Sequence, residues 1–205
     1  MQYPKGESSN NYKILVLGEA GVGKTCLLTR FADKTFTEEE ELSTNANFKV
    51  VDVPTPESSK AKSVKLELYD TAGQERFRIL TSSFYRKCCG AFLVFDLNDR
   101  NSFQNLQNWS KDIEYYANKA IVIVVGNKSD LPKIDDTIQP TEMSGYISEK
   151  GYKAFYECSA KTGDKCEEAL KAMALEVAEM CTEETDDPKN VKQNNVQKKS
   201  KCFLF

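Results

Sequence analysis

The chain has 205 residues, enough for one domain with a large buried core and short terminal extensions. Its formal net charge of −3 gives no indication of nucleic-acid binding, and it contains no histidine. The lack of histidine excludes a histidine general base, a Ser-His or Cys-His nucleophile and a histidine-ligated metal. Its seven cysteines form no C-x-x-C pair, and we find neither a signal peptide nor a membrane-spanning apolar run, which predicts a reduced cytosolic protein.

Strand-like and helix-like stretches alternate along most of the chain. Apolar runs predict strands at residues 12–18, 46–53, 64–70, 90–96, 120–126 and 154–158. Helical spacing of apolar residues predicts helices at about 24–34, 76–87, 101–118, 141–151 and 164–182. The two strands that lack a helix between them predict a hairpin. We therefore expect an α/β fold with a mostly parallel six-stranded sheet, flanked by helices and carrying one antiparallel edge hairpin.

The composition of the two ends predicts segments outside the folded domain. Residues 1–11 are polar and contain serine and asparagine, so we expect a flexible N-terminal extension. After about residue 182 the chain becomes rich in asparagine, glutamine and lysine, which predicts a disordered C-terminal tail at 183–205. One domain is therefore expected at residues 12–182.

Residues Gly18 to Thr25 read G-E-A-G-V-G-K-T and match the G-x-x-x-x-G-K-[ST] pattern of a phosphate-binding P-loop. Glycines allow backbone N–H groups to converge on phosphate oxygens, and the helix that follows adds its N-terminal dipole. Lys24 can reach the β- and γ-phosphates, and Thr25 can place its hydroxyl on Mg²⁺. An ordinary glycine-rich turn is the alternative, but the predicted strand before the loop and the helix after it favour a phosphate site.

Another polar segment, Asp70 to Glu75, follows the third predicted strand, at the sheet edge where parallel α/β folds bind ligands. Asp70 is the expected Mg²⁺ partner, although an isolated aspartate there is more often a cap or turn residue. Gly73 permits close approach of the backbone to a γ-phosphate. Gln74 offers both a donor and an acceptor, which suits the orientation of an attacking water.

Two segments, residues 127–130 and 158–161, follow the last two predicted strands and can recognise a base. Asp130 can accept two N–H donors from the guanine edge, a donor pair that adenine lacks. Asn127 can tie this loop to the P-loop or contact the base edge, and the aliphatic stem of Lys128 can lie across the ring. In the segment 158–161, small residues allow backbone N–H groups to meet the guanine O6. Either segment alone can also be an ordinary polar turn.

With these motifs, the chain resembles the Ras-like small GTPases over about residues 12–182 and, within them, the Rab branch. The Rab resemblance lies in the stretches 69–78, 81–86, 93–96, 101–103 and 108–109. It implies a switch that binds GTP or GDP with Mg²⁺, with Gln74 and Lys24 as catalytic residues and with Thr25, Thr44 and Asp70 on the metal. The implied nucleotide-binding set is Gly18, Ala20, Gly21, Val22, Gly23, Lys24, Thr25, Cys26, Thr44, Gly73, Asn127, Lys128, Asp130, Ser159, Ala160 and Lys161.

The chain departs from the family pattern in its switch segment and in its phosphate loop. Thr44 best matches the switch threonine, with Ser43 as a rival, because residues 45–47 read Asn-Ala-Asn where Rab proteins usually show Ile-Gly-Val-Asp. The acidic residues 38–41 predict either a solvated loop or an unusual partner preference. Ala20 replaces a glycine common among Ras proteins, and its methyl group can crowd the attacking water or an incoming arginine and so slow hydrolysis.

The C-terminus reads Cys202-Phe-Leu-Phe, which matches the C-a-a-X prenylation signal, and a terminal Phe favours geranylgeranyl. A free cysteine in an apolar terminus is the alternative. Rab proteins typically end with two modified cysteines, and a single lipid anchors only reversibly unless a second signal assists it. The tail offers that signal as a set of basic residues, Lys189, Lys192, Lys198, Lys199 and Lys201. We expect a cytoplasmic protein held peripherally on the cytosolic face of a membrane.

The resemblance implies a monomer that controls vesicle trafficking and binds no nucleic acid. The implied partners are an exchange factor, a GTPase-activating protein, effectors, a prenyltransferase and a dissociation inhibitor. One alternative is a nucleotide-bound interaction module with negligible turnover, which Ala20 and the unusual switch segment favour and Gln74 opposes. Another is a metabolic P-loop kinase, which requires an acceptor-binding lid that the sequence does not show.

Overall fold

The computed structural model describes residues 11–37, 48–56, 62–71, 82–134 and 137–185. Its strands are β1 (Asn11–Leu17), β2 (Phe48–Pro54), β3 (Ser63–Asp70), β4 (Cys88–Asp96), β5 (Ile121–Asn127) and β6 (Ala154–Glu157). They form one six-stranded sheet in the order β2-β3-β1-β4-β5-β6. All neighbouring strands are parallel except β2 and β3, which pair antiparallel with Phe48 opposite Tyr69. The predicted α/β fold with one antiparallel edge hairpin is confirmed.

The helices in the described residues are α1 (Lys24–Asp33), α2 (Ser82–Tyr85), α3 (Arg100–Gln104), α4 (Leu106–Tyr116), α5 (Pro140–Lys150) and α6 (Cys166–Thr185). The single helix predicted at 101–118 is wrong. It is divided at Asn105, which ends α3 and precedes α4, and whose carbonyl accepts an i+3 hydrogen bond from the N–H of Asn108 at 3.0 Å. The junction therefore tightens where a continuous α-helix was expected.

Two other predicted helices have different ends. The helix predicted at 76–87 ends at Tyr85, because Lys87 has a left-handed φ of 62° that an α-helix does not allow. Its first residues, 76–81, lie outside the described residues, as do residues 46–47 of the second predicted strand. The last helix begins at Cys166 rather than at 164, because Gly163 and Lys165 have φ angles of 88° and 49°. It continues to Thr185, three residues beyond the predicted end.

Apolar clusters cover both faces of the sheet. On one face α1 and α6 pack against the strands with residues such as Phe31 and Met173. On the other face α4 and α5 contribute residues such as Trp109 and Met143. Burial on both faces explains why the sequences of β4 and β5 are continuously apolar rather than alternating. In the described part of the chain, no helix is both long enough and apolar enough to cross a bilayer.

Candidate nucleotide-binding site

The loop between β1 and α1 carries the predicted phosphate site, and two of its glycines are held by close packing. Gly18 and Gly23 have φ angles of 151° and 89°. A Cβ atom on Gly18 would lie 2.1 Å from the carbonyl oxygen of Val94, and one on Gly23 would lie 2.5 Å from Nδ2 of Asn127. A larger residue would clash at either position. The loop therefore lies directly against β4 and the end of β5.

The side chain of Lys24 lies within this loop. Lys24 is the first residue of α1 and is only 4% exposed, and its Nζ donates to the backbone oxygen of Glu19 at 2.8 Å. A buried ammonium is costly unless polar or negative groups surround it. The N-terminus of α1 adds positive potential, because Gly23 gives no side-chain cap and the first turn holds no acidic residue. The ammonium and the helix end together suit a bound phosphate.

A hydroxyl and a carboxylate meet beside this loop. Oγ1 of Thr25 donates to Oδ2 of Asp70 at 2.5 Å, and Asp70 is fully buried at the end of β3. Oγ1 of Thr71 donates to the backbone oxygen of Val16 at 2.9 Å, which holds the end of β3 against β1. Two oxygen donors, one of them charged, at the mouth of a phosphate loop are the ligand chemistry that Mg²⁺ prefers. Thr25 and Asp70 therefore fit the predicted ion.

Asn127 joins the phosphate loop to the predicted base loop. Its Nδ2 donates to the backbone oxygen of Val22 at 2.9 Å, and its Oδ1 accepts a hydrogen bond from the N–H of Ala160 at 3.1 Å. Asn127 is only 2% exposed, so both ends of the amide are used where water has little access. The sequence left open whether Asn127 ties the loops together or contacts the base edge. These two contacts correspond to the tie between the loops.

The two predicted base loops are bonded to each other. Oγ of Ser159 donates to Oδ1 of Asp130 at 2.5 Å and accepts a hydrogen bond from the N–H of Thr162 at 3.0 Å. The N–H of Ser129 donates to the carbonyl of Cys158 at 3.1 Å. These bonds bring the carboxylate of Asp130, which is an exposed residue, beside the segment 158–161. A carboxylate and backbone N–H groups thus lie together, as recognition of a guanine edge requires.

Lys128 has a partner that the sequence reasoning missed. Its backbone adopts a left-handed φ of 65°, and its Nζ lies 2.8 Å from Oδ2 of Asp96 at the end of β4. The N–H of Asn98 donates to the other carboxylate oxygen at 2.9 Å, which orients Asp96. The available signal was that Asp96 and Lys128 both follow apolar runs, so their strands end at the same edge of the sheet. This ion pair restrains the aliphatic stem of Lys128, which was predicted to lie across a base.

A second unexpected contact joins the phosphate loop to α4. Nε1 of Trp109 donates to Oε1 of Glu19 at 3.3 Å, and Trp109 is 7% exposed. No local pattern predicts this contact, since 90 residues separate the two. The indole N–H of a buried tryptophan requires such a partner. The side chain of Glu19 is thereby held against the sheet-facing side of α4.

Because Trp109 is the only tryptophan in the chain, its fluorescence should report on the phosphate loop. We expect the emission to change when bound nucleotide is stripped from the protein with EDTA and alkaline phosphatase. In Glu19→Ala that change should be largely lost, because the indole no longer contacts the loop. Glu114→Ala, an exposed carboxylate on the same helix, is the matched control and should retain the wild-type change. A full response in Glu19→Ala would show that the contact does not carry the signal.

The remaining predicted residues lie partly beyond the described part of the chain. Ala20 and Gly21 are exposed in the loop, whereas Val22 is 1% exposed and Cys26 is half-buried. The predicted Thr44, Gly73, Gln74 and Cys202 lie outside the described residues, so their roles stay predictions. The structure brings the other predicted residues together along one edge of the sheet.

Phosphate-loop and base-loop side chains bonded along the carboxyl edge of a mostly parallel sheet are the arrangement of P-loop nucleotide-binding proteins. Residues 13–179 match the family model described as Ras family. The chain therefore belongs to the Ras family.

Curated relatives place the similarity within the Rab and Ypt proteins. Ras-related protein RABE1e of Arabidopsis thaliana is 39% identical over 172 residues, covering 83% of this chain and 77% of that protein. Ras-related protein RABE1d of the same plant is 39% identical over 184 residues, covering 88% and 82% respectively. GTP-binding protein ypt1 of Schizosaccharomyces pombe is 36% identical over 184 residues, covering 89% and 88%. The predicted Ras-like small GTPase with greatest similarity to Rab proteins is confirmed.

Proposed function

We propose that this chain is a guanine-nucleotide switch of the Rab type, which hydrolyses GTP and controls vesicle trafficking. The observation that carries the proposal is the double hydrogen bond of Asn127, at 2.9 Å to the phosphate loop and 3.1 Å to the base loop. It supports a single site that binds a phosphate chain at one end and a base at the other. The names of the relatives, two Ras-related proteins and one GTP-binding protein, support the same reading.

The residues of the chain supply positioning and charge rather than covalent chemistry. The buried ammonium of Lys24 and the N–H groups of the phosphate loop hold the β- and γ-phosphates. Thr25 and Asp70 hold Mg²⁺, joined by Thr44, and this ion neutralises phosphate charge when it is bound. Gln74 orients a water molecule in line with the γ-phosphorus, so that the products are GDP and inorganic phosphate. None of these roles requires a histidine, which the chain lacks.

The partners follow from the switch. In the GTP state the segments 36–48 and 72–86 bind effectors, and the effectors dissociate when the γ-phosphate is lost. An exchange factor replaces GDP, and a GTPase-activating protein supplies an arginine that accelerates a slow intrinsic reaction. Ala20 lies exposed on the phosphate loop, and its methyl group can crowd the attacking water or that arginine and so slow hydrolysis. The protein acts as a monomer.

The tail supplies the membrane attachment. Cys202 carries a prenyl group added by a prenyltransferase, and the tail lysines assist a single lipid that would otherwise bind reversibly. The protein then lies on the cytosolic face of a membrane, and a dissociation inhibitor extracts it. These steps rest on the sequence of the tail alone.

Single-turnover hydrolysis of Mg²⁺-GTP by the purified full chain tests the proposal. We expect slow conversion of bound GTP to GDP, and a rate lower by on the order of 10-fold or more in Gln74→Leu, since the water loses its orienting amide. Gln107→Leu, an exposed glutamine on α4, is the control and should match the wild type. Tight guanine binding with negligible turnover in all three proteins would instead identify a nucleotide-bound interaction module.

A further inference from the structure

Arg30 makes an unusual set of contacts near the end of α1. Its Nε donates to the carbonyl of Ala160 at 2.8 Å, and one terminal guanidinium nitrogen donates to the carbonyl of Lys161 at 2.6 Å. The other terminal nitrogen donates to the carbonyl of Lys34 at 2.6 Å. We propose that Arg30 is a positioning residue that holds the base loop in its guanine-binding conformation and thereby slows nucleotide release. This inference rests on the proposed function.

The contacts determine how the base loop presents its N–H groups. The carbonyl and the N–H of a trans peptide point in opposite directions. Anchoring the carbonyl of Ala160 toward α1 therefore directs the N–H of Lys161 away from α1. The neighbouring N–H groups of Ala160 and Thr162 are already bonded to Asn127 and Ser159. Arg30 thus orients the peptide between Ala160 and Lys161, and the peptides on either side of it are held by Asn127 and Ser159.

A guanidinium suits this task better than any other side chain. It presents several N–H donors in a rigid plane, and charge-assisted hydrogen bonds are stronger than neutral ones. A lysine keeps the charge but has a single nitrogen, which cannot reach three carbonyls that lie in different directions. The interactions span 130 and 131 residues of sequence for Ala160 and Lys161, so they are tertiary contacts rather than local turns.

Helix α1 thereby connects both halves of the site. Its first residue is Lys24 in the phosphate loop, and Arg30 contacts the base loop from the same helix. Arg30 also bonds to Lys34, whose left-handed φ of 60° ends α1 and whose N–H donates to the carbonyl of Arg30 at 3.2 Å. In sequence, the segment that contains the predicted switch threonine follows Lys34. A shift of the base loop is therefore coupled to the start of the switch segment through one side chain.

The test compares nucleotide release and base selectivity in Arg30→Lys and Arg30→Ala. We expect fluorescently labelled GDP to dissociate about 10-fold faster from Arg30→Ala, with Arg30→Lys intermediate, because each hydrogen bond to a charged group contributes measurably to binding. The preference for GDP over 6-thio-GDP should also fall, because the sulfur at position 6 accepts hydrogen bonds from the loop poorly. A general destabilisation of the fold would instead weaken the binding of GDP and of 6-thio-GDP by the same factor.

Lys150→Gln is the matched control. It removes a cation that pairs with Glu114 at 3.1 Å beside the start of β5, far along the strands from the base loop, and should leave release unchanged. Wild-type release rates in both Arg30 variants, or equal losses for GDP and 6-thio-GDP, would overturn the proposal. If Arg30→Ala does not fold, Arg30→Lys gives the same comparison. Failure of the wild type to bind GDP would instead contradict the proposed function.

Discussion

Asp130→Asn is expected to reduce the affinity for GTP by about 100-fold or more and to create affinity for XTP, since two hydrogen bonds to a charged acceptor are at stake. In the proposed site, the carboxylate of Asp130 accepts hydrogen bonds from N1–H and from the 2-amino group of guanine. An asparagine side chain can accept only one of these two hydrogen bonds, because its NH₂ group is a donor that faces the other guanine donor. Xanthine has a carbonyl at position 2, so the same amide donates to it. The hydrogen bond from Ser159 is retained, because the asparagine oxygen still accepts.

Competition against labelled GDP by GTP, XTP and ATP measures this change. Asp164→Asn is the control, since Asp164 is exposed in the adjoining loop and its backbone rather than its carboxylate bonds to Ser159. Its selectivity should equal that of the wild type. Unchanged GTP affinity in Asp130→Asn would show that the base lies elsewhere.

Lys24→Ala is expected to remove most of the energetic difference between GDP and GMP. In the proposed site the buried ammonium reaches the β-phosphate, which GMP lacks, so its loss should reduce GDP affinity by about 100-fold or more while GMP affinity changes little. Isothermal titration of both nucleotides, with the melting temperature as a check of folding, measures the ratio. Lys171→Ala, an exposed lysine paired with Glu167 on α6, is the control. Equal losses for GDP and GMP would contradict the assigned role.

The parts of the fold that could be predicted depend on local patterns. Strands β4 and β5 were placed within two residues, because burial on both faces makes their sequences continuously apolar. The break at Asn105 was missed because the apolar spacing continues through it and one tightened turn leaves no mark on composition. The start predicted for α6 at residue 164 was a similar error, because the left-handed backbone at Lys165 delays the helix to Cys166.

The candidate site shows the same division. The P-loop could be predicted because its chemistry depends on a short, contiguous backbone from Gly18 to Thr25. The role of Asn127 could not be decided from sequence, since its donor contact lies 105 residues away in the chain. Arg30 gave no signal at all, because an arginine on an amphipathic helix is normally a solvated surface residue. Long-range hydrogen bonds therefore account for what sequence reasoning left out.

We propose that one edge of the sheet binds a guanine nucleotide across the loops that Asn127 joins. The most direct measurement is identification, by chromatography of denatured protein, of the nucleotide bound to the purified full chain, followed by its displacement with GDP, GTP or ATP. We expect about one equivalent of guanine nucleotide, displaced by GDP and GTP but not by ATP, as a single P-loop site with an Asp130 base contact requires. A bound adenine nucleotide, or displacement by ATP as readily as by GTP, would contradict it.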